Sequence, residues 1–552
     1  KSPIPRPGSQ NRTPLESSAV NVRNVTVCGP GVIDAAMALE EDGNHGPMSV
    51  VFEYCRDVTF EDITLDRSPG WGLWFLECED LRLLNLKVLD SAGAGTTIVN
   101  CRRVLYDGCV FDGTFDDPIV IKNERRPENP GNPDIRTEDV IVSNTVVRNS
   151  SHPAIKIGTQ TAGLFRNILV SNCIFTDVRT VFQIALMRNK VKETKERLIE
   201  NVSFSNVIAR NVGDVFDIQT NGVDKAAVSD LVFDNLLVSG MDRTSIIQGY
   251  AHVPIRNVTI KNSRFVHSRD SLTNWLSTDY TEHLTIRDVD FELRAPLDRL
   301  VEMDHADGFT WDNVSVRGEK VGDSVITMRD SGSAEIRNCI AKNCDTYVNL
   351  DGELETIRFH NNDLEDIPEP LVADSALRSV RPLADRVQSS VLEMDREINP
   401  GQRPTIEVGL ENQGSAGAFL ASASGGGAVL GGRWVFLHPD EKRTATFQTQ
   451  PIYRSGRHEM EIDGVEETVT VRDVPCTLSY SGPFELRMEE GKPEAAWVKA
   501  PVQNIGGQPG TTEVTLDAAG HKMKKKISLE PGESSFVTFD DFKGISSLLP
   551  LK

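Results

Sequence analysis

The chain is predicted to be all-β: a parallel β-solenoid followed by two small β-sandwich domains. Three observations carry that expectation. The first is a recurring phrase, a polar pair followed by alternating apolar residues, as in Arg23-Asn24-Val25, Arg56-Asp57-Val58, Arg166-Asn167-Ile168 and Arg256-Asn257-Val258. Its apolar anchors are Val25, Val58, Leu81, Val104, Val140, Ile168, Val202, Leu231, Val258, Leu284, Phe309, Ile336 and Ile357. Short strands at a period of roughly 20–40 residues, with no helical pattern between them, describe coils that bury their inner faces only against their neighbours. The second observation is a cysteine ladder, Cys28, Cys55, Cys78 and Cys101, at nearly the same place in successive coils. The third is a change of pattern after residue 385, where alternating strands are punctuated by turn residues.

Taken in order, residues 1–19 form a Pro/Ser-rich arm and 20–365 the solenoid, expected to be the catalytic domain. A linker through Arg381-Pro382-Leu383 leads to sandwiches at 386–474 and 475–552, marked by the matching turns Asn412-Gln413-Gly414 and Asn504-Ile505-Gly506. These two resemble the Ig-like accessory modules of secreted bacterial proteins, with a spacing, docking or stabilising role. The 9 cysteines are sparse, odd in number and without a Cys-x-x-Cys, so they read as inert core thiols rather than disulfides or metal ligands.

With 59 Lys and Arg against 81 Asp and Glu, the formal charge is −22. Nucleic acid would be repelled. No apolar run is long enough to span a membrane. No signal peptide stands at Lys1, yet the Pro/Ser-rich opening fits a processed chain, so a secreted or periplasmic location is expected.

Two intervals between anchors are long, from Val104 to Val140 and from Ile168 to Val202. They hold polar segments, Glu124 to Pro133 and Leu186 to Lys195, which would wall a cleft. Placed by offset from the anchors, the floor carries Trp71 and Trp74, Ala94, the pair Asp116-Asp117, and His152. Lys122 and Lys156 follow on neighbouring rungs. Each has a structural alternative: an Asp pair is commonly a solvated turn, and a lone His or Trp a packing residue. Asp214 and Asp217 read as turn residues. The coincidence on nearby rungs, beside the longest loops, favours function.

Thr114-Phe115-Asp116-Asp117-Pro118-Ile119-Val120-Ile121-Lys122 resembles the Gly-Asp-Asp-x-x-x-x-Lys segment of glycoside hydrolase family 28, the polygalacturonase group. Gly29-Pro30-Gly31-Val32-Ile33-Asp34 resembles that family's first coil. Ser151-His152-Pro153-Ala154-Ile155-Lys156-Ile157-Gly158 resembles its Gly-His-Gly strand, one residue longer. The resemblance implies a right-handed parallel β-helix and an inverting glycoside hydrolase, with Asp116 as acid, Asp117 as base and His152 tuning the acid. Lys122, Glu124, Lys156, Gln183 and Arg188 would contact the sugar, and Trp71 or Trp74 would stack on it. The family's Asn-Thr-Asp motif should fall near Ala92-Gly93-Ala94-Gly95 and its Arg-Ile-Lys motif near Gln183-Ile184-Ala185, and both are replaced. The chain is thus a divergent member by resemblance, with Asp90 and Glu124 as reserve bases. A poly- or oligosaccharide is the expected partner and no cofactor is implied; the sequence leaves the oligomeric state open. Two rival readings remain: a uronate lyase or epimerase using Lys156, His152 and Arg188, and a carbohydrate-binding solenoid without turnover.

Overall fold

The computed structural model describes residues 17–35, 48–124, 135–159, 162–186, 197–221, 225–269, 272–364, 367–374, 379–426, 428–489, 492–518 and 521–539. Among them are strands and turns and no helix. The chain divides into two compact units, Lys1–Val372 with Ala376–Pro382, and Ala373–Ser375 with Leu383–Lys552.

In the first unit the repeated phrase is a strand and its copies stack in parallel. Val25 lies beside Val58, and the ladder continues through Leu81, Val104, Val140, Ile168, Val202, Leu231, Val258 and Leu284. This is a parallel β-helix. Past Phe309 the register departs from the expected one: Phe309 faces Ala334, and Ala334 faces Ile357. Ile336, the anchor expected there, lies beside Trp311 instead. The pair that precedes Ala334 is Gly332-Ser333, whose backbone N–H at Ser333 is held by the Asp307 carboxylate, so a glycine hides the copy.

The polar pair marks a corner. Asp57, Asp80, Asn167, Asn201, Asp230 and Asn257 have φ between 55° and 58°. A second left-handed corner follows at Asp62, Asn85, Asn144, Asn172, Asn206, Asn235 and Asn262. This region costs an ordinary L-residue about 1–2 kcal/mol, and Asn and Asp tolerate it best because their short side chains bond locally. Their side chains also stack between coils: Asn235 Nδ2 donates to Asn206 Oδ1 at 2.8 Å, and Asn206 Nδ2 to Asn172 Oδ1 at 3.1 Å.

The bore is filled by apolar columns, with Phe182, Phe204, Phe216 and Phe233 in contact at ring-centroid distances of 4.4–5.9 Å. Cys55, Cys78 and Cys101 do form a ladder of free, buried thiols, each donating to the carbonyl two residues before it. Cys28 does not join it. That residue is exposed and lies in the strand Arg23–Asp34 beside Glu61.

The third strand of each coil builds the face that matters here: Val50–Glu53, Leu73–Leu76, Thr96–Val99, Ile119–Lys122, the ends of Val146–Thr159 and Gly163–Leu186, and Asp214–Gln219. Its inward side chains Phe75, Ile98, Ile121, Ile157, Ile184 and Ile218 are fully buried. One outward column runs Val51, Trp74, Thr97, Val120, Lys156, Gln183 and Asp217. It is buried as far as Val120 and partly exposed from Lys156 onward.

The second unit contains two sandwiches. One packs the sheet of Val387–Met394, Thr405–Asn412 and Lys442–Gln448 against strands that include Gly417–Gly425 and Ala428–Leu437, over a core of Ile406, Val408, Ala421 and Val469. The other closes over Val502, Val514, Leu529 and Phe539. The matched turns are built alike: Asn412 and Asn504 are fully buried, and their Oδ1 atoms accept the N–H of Gly414 and Gly506, both at 3.0 Å.

Because Asn206 combines a left-handed φ with two ladder bonds, Asn206→Val should destabilise the first unit by about 2 kcal/mol. Asn206→Gly, which keeps the corner and loses the ladder, should cost less. Denaturant titration of the two variants checks the order; equal losses would mean that the corner conformation contributes nothing.

Candidate active site

Asp117 stands at the head of the strand Ile119–Lys122, and its carbonyl accepts the N–H of Gly95 at 3.1 Å. Its equivalents in neighbouring coils are Ala94 on one side and Pro153, Thr180 and Asp214 on the other. The coil position that the resemblance assigns to a third acid is therefore filled by the buried methyl of Ala94.

Asp117 is 4% exposed. Its Oδ2 lies 2.9 Å from Lys156 Nζ, while its Oδ1 is buried without a hydrogen-bond partner. Burial raises its carboxyl to about 6, with the Asp116 charge adding to the rise and the Lys156 ammonium opposing it. Asp116 is half-buried and accepts the Asp117 backbone N–H at 2.8 Å. Burial acts against its charge too, but that N–H, His152, Lys156 and a hydrogen bond with the Asp117 side chain outweigh it and hold Asp116 below the usual carboxylate range. The two carboxyls thus form one dyad in which Asp117 keeps the proton and Asp116 the charge. That order is the reverse of the roles implied by the resemblance.

His152 is placed by its neighbours: its Nδ1 lies 3.1 Å from Ser151 Oγ, and its backbone N–H donates to Ser150 Oγ at 3.3 Å. Its ring lies 6.4 Å from that of Phe115, which is 67% exposed and was not singled out from the sequence. Lys122 and Lys156 are on adjacent rungs but in different columns, since Lys156 lies beside Val120 and Lys122 beside Val99. Burial lowers the Lys122 ammonium, which sits 5.4 Å from the centre of the Trp71 ring. Trp71 and Trp74 stack at 5.0 Å and 13°. Trp74 is buried in an apolar cluster with Met48, Val51, Leu76 and Val99, so it supports Trp71, which is partly exposed.

The remaining expected residues divide. Gln183 lies beside Lys156, and its Nε2 donates to Asp217 Oδ2 at 2.5 Å. The backbone of Glu124 exchanges hydrogen bonds with the Asn100 side chain at 2.8 and 3.0 Å. Asp90, a reserve base, is a left-handed corner whose carboxylate packs over the Gly113 backbone. Arg188, with residues 125–133 and 187–195 of the expected cleft walls, lies outside the described residues. Asp214 and Asp217 are not in a turn: both belong to the strand Asp214–Gln219. Among the described residues no group of three His, Cys, Asp or Glu is arranged to hold a metal ion.

No family model matches the chain, and no curated protein matches it. Among solved structures, the chain is similar to a hyperthermoactive exopolygalacturonase from Thermotoga maritima, at 20% identity and a TM-score of 0.37 over 45% of this chain and 55% of that one. It is similar to a family 28 exopolygalacturonase from Yersinia enterocolitica, at 14% identity and a TM-score of 0.35 over 60% and 59%. A third likeness is to a tailspike protein mutant of E. coli bacteriophage HK620 in complex with a pentasaccharide, at 10% identity and a TM-score of 0.45 over 76% and 80%. The chain spans little more than half the length of the two exopolygalacturonases. With every one of these TM-scores below 0.5, the chemistry assigned below rests on the chain's own side chains.

Proposed function

We propose that this chain is a carbohydrate-active enzyme, a glycoside hydrolase that cleaves a poly- or oligosaccharide at the Asp116–Asp117 dyad. The observation that carries the reading is the splitting of the two carboxyls, Asp117 raised to about 6 and Asp116 held below the usual range, beside Lys156 and His152 on one face. Such a split supplies a proton donor and a carboxylate together near pH 5. Asp117 protonates the leaving glycosidic oxygen as the C–O bond breaks. Asp116, the half-exposed member, takes a proton from the water that attacks the anomeric carbon, so the product is inverted. Trp71 offers a face to the sugar, and Lys122 and Lys156 offer charge to its hydroxyls or to a uronate carboxylate.

One observation favours a second reading. Lys122 has a lowered ammonium and, among the described residues, no carboxylate at ion-pair distance. A neutral amine there would abstract the proton beside a uronate carboxylate, as in a lyase or epimerase.

A panel of plant, algal and bacterial glycans, read for both new reducing ends and ultraviolet absorbance, separates the two. The hydrolase reading expects reducing ends without absorbance and at least a 100-fold loss in Asp117→Asn. Absorbance that survives Asp117→Asn and disappears in Lys122→Met would replace it with the lyase.

The pH profile follows from the directions above. Activity requires Asp117 protonated, so it falls as pH rises through about 6; it requires Asp116 ionised, so it falls again only below the usual carboxylate range. Lys156→Met removes the cation that opposes protonation of Asp117, and the alkaline limb should move up by ~1 pH unit or more. An unmoved limb would mean that Asp117 is not the proton donor.

A further inference from the structure

Three residues before the outward column, at the coil position of Asp117, the chain places a second buried carboxyl, Asp214. The two are built alike. Asp214 is 1% exposed; its Oδ1 is buried without a hydrogen-bond partner, and its Oδ2 faces Arg243 Nη1 at 3.4 Å. Asp117 shows the same division, with Lys156 as its cation. Arg243 is brought into place by the tight turn at Gly213, whose carbonyl accepts the Arg243 N–H at 2.9 Å. A Cβ at Gly213 would lie 2.3 Å from the Arg179 carbonyl oxygen, so the turn requires glycine.

Asp217 stands beside it on the same strand and in the outward column, half-buried. Both of its oxygens are fixed: Oδ2 by Gln183 Nε2 and Oδ1 by Gln219 Nε2, each at 2.5 Å. Two amides that hold one carboxylate in a set orientation are a support more often found around a working group than on a bare surface. Residues three apart on an extended strand have Cα atoms about 10 Å apart. The Asp217 charge is among those that act on Asp214, so the two carboxyls share one neighbourhood.

We propose that Asp214 and Asp217 form a second acid–base centre, which hydrolyses glycosidic bonds on the same face of the β-helix, three coils beyond the Asp116–Asp117 dyad. Asp214 gives its proton to the leaving oxygen as the anomeric C–O bond breaks, and Asp217 accepts a proton from the attacking water, whose oxygen forms the new bond. Arg243 stabilises the carboxylate that Asp214 becomes, which regains its proton from solvent as Asp217 releases one, and Gln183 and Gln219 keep Asp217 in place. The groups that face Asp214 are Thr180, Arg243, Asp217 and Arg179; burial outweighs the two cations and lifts its carboxyl to about 7. At about 4.8 Å per rung, three rungs put the centres about 14 Å apart, so one extended glycan can reach both.

The proposal rests on the reading that this face handles glycans, and four forms of the full chain separate the two: wild type, Asp117→Asn, Asp214→Asn and Asp217→Asn. Reducing ends and product lengths are followed on whichever panel glycan the wild type cleaves. A second centre predicts that Asp214→Asn and Asp217→Asn each remove the same subset of products, with at least a 10-fold fall in their release, and that Asp117→Asn removes a different subset. Products and rates unchanged in both variants, with activity lost in Asp117→Asn, would overturn the second centre and leave the first. Loss in Asp214→Asn and Asp217→Asn with Asp117→Asn intact would uphold it and overturn the first. Should Asp214→Asn fail to fold, the half-exposed Asp217→Asn decides alone. A wild type that cleaves no glycan on the panel overturns both.

Discussion

Everything in the first unit depends on the backbone's ability to turn sharply at fixed places in every coil. The left-handed residues at Asp57, Asn167 or Asn201, and again at Asn172 and Asn206, set those corners, and the stacked side-chain amides repeat them from coil to coil. Once the corners are in register the strands between them have no freedom to slip, because a one-residue shift would exchange Phe204 and Phe233 with solvent-facing neighbours. The same register fixes the chemistry. Side chains at one coil position are held a rung apart, about 4.8 Å, whatever their identity. Lys156 meets Asp117 because the coil that follows Asp117 delivers a lysine two positions beyond Ala154, not because either residue seeks the other.

Burial and cations then compete over each acid on that lattice. Asp116 is the less buried of the dyad and collects the Asp117 N–H, so its charge is favoured. Asp117 is almost sealed, and Lys156 only partly offsets the loss of water. The result is a division of labour between chemically identical neighbours, set by a difference in solvent contact.

Much of this fold could be read from the sequence because the corners announce themselves. A polar pair ahead of alternating apolar residues states both the turn and the strand, and the ladder from Val25 to Leu284 follows it copy by copy. The reading slipped at Ala334 because Gly332-Ser333 serves the corner without the usual Asn or Asp, and it took Cys28 into a ladder to which only Cys55, Cys78 and Cys101 belong. At the site, the offsets placed Asp117 and Ala94 in one column. They did not say which acid keeps its proton, since that follows from solvent exposure and from Lys156, a contact between residues 117 and 156 that only the fold creates. Asp214 and Asp217 looked like turn residues because carboxylates seldom occupy strand positions unless something holds them, and their holders, Gln183, Gln219 and Arg243, come from three different stretches of chain.

The contrast between the two buried carboxyls tests this account within one molecule. Asp117 and Asp214 share a coil position, lack a partner for Oδ1 and are both nearly sealed from solvent, so burial alone should raise them alike. Their cations differ. Lys156 stands at 2.9 Å with its side chain 14% exposed, whereas Arg243 stands at 3.4 Å and is 42% exposed. A closer, less hydrated cation is less screened and favours the ionised acid more strongly. Both carboxyls are raised, Asp117 to about 6 and Asp214 to about 7, because burial outweighs the cations beside each. The lattice of coils supplies the equivalence of the two positions, and burial there, only partly offset by the neighbouring cations, keeps a proton on each.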